Sequence, residues 1–108
     1  MSYWNLNWSK TEKTIARAAF DKAYNKECSA ILESLRKKVL TCTGPDDIWE
    51  IRDYLNEQTR QVSQKYDYRY SILIMVFAGL IREGWLALSD LEGLSDDKKE
   101  YLQKILSL

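Results

Sequence analysis

Five side chains between positions 49 and 60 carry the most chemistry in this chain of 108 residues. Arg52, Asp53, Asn56 and Arg60 follow Trp49 at offsets of three, four, seven and eleven. On an α-helix those offsets fall on one face, because side chains three and four apart are surface neighbours. An indole among carboxylate, amide and guanidinium groups suits non-covalent recognition of another protein. Tryptophan and arginine are enriched at such hot spots, since each buries a large area and keeps a polar handle. Composition alone leaves a second reading open, in which Trp49 packs on its own core and Arg52, Asp53 and Arg60 form a solvated face. The apolar row Ile48, Ile51 and Leu55 runs beside them.

Bond-making chemistry has little to work with. Histidine is absent, which removes His-based triads, His metal ligands and the ordinary His proton shuttle. Cys28 and Cys42 do not form a CxxC pair and make a poor metal site; they read as reduced residues of a cytosolic protein. The carboxylate pairs Asp46–Asp47 and Asp96–Asp97 suit helix N-termini better than general acid–base work. No nucleophile elbow, phosphate loop or metal signature is present, so no enzyme, cofactor or small-molecule substrate is expected. Sixteen acidic and 16 basic residues cancel, which argues against a nucleic-acid partner. The N-terminus lacks the basic start and apolar core of a signal peptide, and a cytoplasmic protein is expected.

The elements that must position these groups are helical throughout, and one domain spanning 1–108 is expected. Met1–Trp8 reads as a polar and aromatic lead-in. Ser9 and Glu12 match a capping box, and Phe20, Tyr24, Cys28, Ile31, Leu35 and Val39 recur at helical spacing up to about Thr41. Gly44 suits a helix C-terminal cap and Pro45 the first turn of a second helix, running to about Ser63. A third is expected from about Tyr66 to Leu86, containing the apolar run Ile72–Ile81. That run, apolar all round, must be enclosed on every side and is too short to span a bilayer. Phe77 sits in its middle and is core by position, unless its end of the helix is exposed. Asp67 and Arg69, among Tyr66, Tyr68 and Tyr70, read as a buried hydrogen-bonded cluster. Ser89 and Glu92 match a second capping box, and Ser95 is placed to cap a last helix whose Lys98, Lys99 and Lys104 read as solvated.

Length adds a constraint. A compact domain of this size has a radius of gyration near 13 Å, so its diameter is about 35 Å. A first helix of about 32 residues measures about 48 Å. It overhangs, and its apolar stripe through Ile31, Leu35 and Val39 would be exposed unless a second copy covers it. An elongated homodimer is expected. The alternative is a helix that bends near Glu27–Ala30 and folds back.

The run DDIWEIRDYL (Asp46 to Leu55), the string KYDYRYS (Lys65 to Ser71) and the stretches Val76–Leu80 and Glu83–Leu86 together resemble the cyanobacterial fluorescence recovery protein family. The resemblance covers most of the chain, from Glu12 to Leu94. It implies an all-α dimer with a long helical stalk (about 9–63) and a small helical head (about 64–108). It implies a non-enzymatic regulator of photoprotection. Such a regulator binds the photoactivated red orange carotenoid protein through that protein's C-terminal domain, speeds its return to the orange form and helps detach it from thylakoid-attached phycobilisomes. The family's tryptophan and aspartate fall on Trp49 and Asp53, its functional arginine on Arg60, and Ile48 on a dimer-contact position. Ile51 and Leu55 extend that contact, and Phe77 and Lys104 match head contacts. Some members carry histidine where this chain has Arg52, so an imidazole mechanism is ruled out at that position. The competing class is a dimeric helical adaptor that sequesters a signalling or transcription protein.

Overall fold

The first helix is set by its start. Ser9 Oγ accepts the Glu12 N–H at 3.1 Å and Glu12 Oε1 accepts the Ser9 N–H at 3.0 Å, closing the expected capping box. With no glycine or proline to interrupt it, α1 runs unbroken from Lys10–Leu40, which removes the bent alternative. In this computed structural model, which describes residues 7–108, the other elements are α2 (Pro45–Lys65), α3 (Leu73–Arg82), a short 3-10 turn (Leu88–Leu91) and α4 (Asp96–Leu106). The lead-in expected over Met1–Trp8 lies outside the described residues, except for Asn7 and Trp8. Among the described residues no helix is long and apolar enough to cross a membrane.

Several expected boundaries move. Gly44 is extended (φ −161°, ψ 179°) and precedes α2, while Thr41 ends α1; Gly44 is therefore no left-handed cap. The turn is held instead by Asp47, whose Oδ2 accepts the N–H groups of Thr43 (2.8 Å) and Gly44 (3.2 Å). Helix α3 begins at Leu73, not Tyr66, and ends before Gly84, whose φ of +84° only glycine adopts freely. The second capping box is displaced: Asp90, not Glu92, closes the 3-10 turn by accepting the Ala87 N–H at 2.9 Å. Ser95 precedes α4 without a side-chain cap, and its N–H goes to Glu12 Oε2 at 2.9 Å.

The tyrosine string is non-helical because it is pinned ring by ring along α1. Ring centroids lie 5.4 Å apart for Trp8–Tyr70, 5.6 Å for Tyr70–Tyr68, 4.8 Å for Tyr68–Phe20, 5.4 Å for Phe20–Tyr66 and 5.3 Å for Tyr66–Tyr24. Most meet edge to face, the geometry that the ring quadrupole favours. Arg17 lies 4.8 Å over Tyr68 and Lys13 5.3 Å over Tyr70. Asp67 and Arg69 pair at 2.7 Å, but Asp67 is only half-buried and Arg69 is exposed, so they are not the buried cluster expected of them.

The core sits at one end. Leu73, Ile74, Phe77, Ala78 and Leu80 of α3 pack with Leu86, Leu91, Leu94 and Leu102 against Ala16, Ala19, Phe20 and Ala23 of α1. The head therefore takes in the N-terminal half of α1 and does not begin at residue 64. The apolar run is not enclosed on every side either: Met75 is exposed, and with Lys65, Ile72, Val76 and Gly79 it lines an open groove of about 310 Å³. Beyond Glu27 α1 runs on beside α2, and α2 contributes no buried residue. The molecule measures 57 × 25 × 21 Å with a radius of gyration of 17.1 Å, against about 13 Å for a compact fold of this length.

Two buried ion clusters join the parts. Lys98, expected as a solvated residue, is 2% exposed. Its Nζ lies 3.2 Å from Glu12, donates to the Asn7 carbonyl and sits 4.9 Å over the Trp8 ring. Glu27, midway along α1, is 5% exposed. It accepts from Lys65 Nζ at 2.6 Å and from the Tyr66 hydroxyl at 2.8 Å. Lys65 also donates to Glu83 at 2.8 Å, so one ammonium ties α1, the end of α2 and the end of α3.

Burial raises the Glu12 pKa, but the N–H groups of Ser9 and Ser95 and the Lys98 ammonium outweigh it, and the carboxyl is held at about 2 against an ordinary 4.5. Its contribution is thus fully present above pH 4.5 and is lost as pH falls from there through about 2. Thermal melts across that range should show the wild type losing on the order of 3 kcal/mol to this group, while Glu12→Gln starts lower at neutral pH and has the flatter profile. Glu27→Ala strands Lys65 and the Tyr66 hydroxyl and should cost about 3 kcal/mol in urea unfolding. Glu27→Leu combined with Lys65→Met should recover much of that loss, since apolar packing replaces a desolvated pair at little cost.

Candidate protein-binding face

Helix α2 begins at the far tip of the stalk and returns along α1. Pro45 sets its first turn and Asp46 and Asp47 face its positive end. Its helical register brings Trp49, Arg52, Asp53, Asn56 and Arg60 onto one exposed face about 16 Å long. Trp49 is 53% exposed, so it is not packed into its own core. The Arg52 guanidinium lies 5.5 Å over its ring, and Arg52 Nε and Nη2 donate to Asp53 Oδ1 at 3.1 and 3.0 Å. Two turns on, Arg60 donates to both oxygens of Glu57, at 3.0 and 2.5 Å, and to Gln64 Oε1 at 3.3 Å. Hydrogen bonds from Arg60 and Gln61 hold the Glu57 carboxyl at about 2, so it is ionised at any physiological pH.

The face thus presents one large ring followed by alternating charges, with no concavity of its own. It can bury an indole against a partner and orient that partner by paired charges. Among the described residues no three His, Cys, Asp or Glu side chains converge as metal ligands, and Cys28 and Cys42 form no disulfide.

The remaining sequence-derived residues divide. Phe77 is fully buried in the head core, so the single chain cannot present it to a partner; it shapes the head from inside. Lys104 is exposed on α4, apart from the α2 face. Ile31, Leu35, Ile51 and Leu55 are half-buried along the α1–α2 seam, whereas Val39 and Ile48 are each 55% exposed. The seam is incompletely filled: a groove of about 240 Å³ opens between Cys28, Ile31, Leu55 and Val62. Glu57 was not expected as the partner of Arg60, although their spacing of three on a helix announces it. Nor was the Glu27–Lys65–Glu83 clamp, whose members are 38 and 18 residues apart.

Comparison with known proteins places this geometry. The family model for the photoprotection regulator fluorescence recovery protein matches residues 8–107. The chain is 34% identical over 101 residues to the fluorescence recovery protein of Synechocystis, covering 94% of this chain and 93% of that protein. The solved fluorescence recovery protein of Fremyella diplosiphon superposes with a TM-score of 0.87 at 37% identity, over 94% of this chain and all of that one. The Synechocystis structure superposes equally well at 33% identity, again over 94% of this chain and all of that one. The chain belongs to the fluorescence recovery protein family of photoprotection regulators.

Proposed function

We propose that this chain acts without bond chemistry, as a homodimer that binds the photoactivated red orange carotenoid protein at its C-terminal domain and speeds its return to the orange form. Its release from the phycobilisome follows, and antenna fluorescence recovers. The observation that carries the reading is the half-exposed Trp49 on a face of paired charges, in a chain whose family regulates photoprotection. Family membership supports the partner, and the site's chemistry supports the mode.

Acceleration sets a physical requirement. A protein that merely binds the red state stabilises the starting point and slows the return; only tighter binding to the transition state speeds it. A rigid dimer can meet this by holding separated domains of its partner close to their reassembled arrangement, which shifts populations without covalent steps. Trp49 is the anchor, and Asp53 and Arg60 orient the partner, with Arg52 and Asn56 between them. Lys104 adds a contact from the head, and Phe77 supports that head from its core.

The dimer follows from uncovered apolar surface. Leu32, Val39, Leu40 and Ile48 are each at least 45% exposed, on two helices that bury little against each other. A second copy laid along this hairpin, against Ile31, Leu35, Ile51 and Leu55, fills the open seam and removes those side chains from water, each gaining about 1.5–3 kcal/mol when fully buried. Val39→Glu places a charge in that interface without disturbing the head. Sedimentation velocity should show its dissociation constant raised at least roughly tenfold, with helix content unchanged.

The direct test is the dark decay of photoactivated orange carotenoid protein, followed by absorbance with and without this chain. Wild type should accelerate the decay. Trp49→Ala should weaken the effect by at least roughly 30-fold, as expected for a hot-spot anchor worth 2 kcal/mol or more, and Asp53→Leu should weaken it too. Acceleration undiminished in both variants would move the site away from α2; no acceleration by the wild type would remove the carotenoid protein as partner.

A further inference from the structure

We propose that Arg52 is a positioning residue: its guanidinium fixes the Trp49 indole and the Asp53 carboxylate in the arrangement that the partner meets. This rests on the partner-binding reading of α2 above. Helix α2 buries none of its residues, so the close packing that fixes rotamers in a core is missing around Trp49. An exposed indole left to itself samples several rotamers, and freezing one such side chain at an interface weakens binding by about 2- to 13-fold. Arg52 removes part of that cost before the partner arrives. Its guanidinium carbon lies 5.5 Å from the indole centroid and, at the same time, two of its N–H groups close on Asp53 Oδ1 at 3.1 and 3.0 Å. The two contacts together tie a ring and a carboxylate to one side chain.

The arrangement holds the site without consuming it. Both hydrogen bonds go to Oδ1 of Asp53, so Oδ2 and Arg52 Nη1 make no hydrogen bond to a described residue. An acceptor and a donor therefore stand side by side next to the ring. Lysine cannot replace this function: an ammonium keeps the charge but has neither a plane to stack nor a fork to close on one oxygen. The contacts are individually weak at an exposed surface. Their effect comes from ordering two binding groups at once, not from stability, and helix content and melting should not change in Arg52 variants.

The test reads the free protein and the function separately. In the full chain labelled with 5-fluorotryptophan, the Trp49 resonance is assigned among four tryptophans by Trp49→Phe. Arg52→Ala and Arg52→Lys should both shift and narrow it, reporting a ring that has become mobile. In the dark-decay assay both should need roughly 2- to 13-fold more protein for half-maximal acceleration. Arg52→Lys at wild-type strength would overturn the proposal, and so would a Trp49 resonance unchanged in both variants. Loss of acceleration with that resonance unchanged would make Arg52 a direct contact instead. If the wild type itself fails to accelerate decay, the partner reading falls, and the resonance still decides whether Arg52 orders the face.

Discussion

A helix of 31 residues is about 46 Å long, and everything else in this chain is arranged around that length. Its first half has a core to enter: Ala16, Ala19 and Ala23 present a small-residue surface beside Phe20, against which α3 and the turns after it close. Its second half extends past any body the remaining residues can build. The chain answers with one more helix laid back along it, and a two-helix hairpin has no interior. Hence the stalk is left with half-buried and exposed apolar side chains, and the single chain has a buried end and an unfinished one.

Charge is distributed along the same division. Where elements distant in sequence meet the head, ion pairs are buried and saturated with hydrogen bonds: Glu12 with Lys98, Ser9 and Ser95, and Glu27 with Lys65 and Tyr66. Such pairs add little net stability over an apolar core of the same shape, but breaking one leaves a desolvated charge, so they strongly penalise alternative arrangements. On α2 the pairs Arg52–Asp53 and Arg60–Glu57 are exposed on both sides. They contribute almost nothing to folding and are available to a partner. The molecule keeps its register with buried charges and leaves those of α2 at the surface.

This division explains why the candidate site is a face and not a cleft. The head is closed by Phe77 and its neighbours, and the stalk is too narrow to enclose a ligand. What remains is a rigid rod with an indole and two ion pairs in line. Such a rod holds these groups in line over a distance.

The helical class, the Ser9–Glu12 start, the break at Gly44-Pro45 and the shared face of Trp49, Arg52, Asp53, Asn56 and Arg60 were legible in the sequence, because each rests on spacings of three or four residues that a helix turns into contacts. The unbroken run without glycine or proline also made α1 too long for its body, so an overhanging apolar stripe was legible too. Tertiary structure decided the rest. The tyrosine string has the composition to continue a helix, yet stacking on α1 draws it out, and α3 starts seven residues later than expected. Lys98 reads as a solvated lysine because its neighbours in sequence are charged; its true neighbours are Glu12 and Trp8, some ninety residues away. Glu27 and Lys65 carry no local signal, since nothing within one turn of either names the other. Periodicity fixes which residues share a face, whereas burial depends on what crosses that face from elsewhere in the chain, and only the folded structure supplies that.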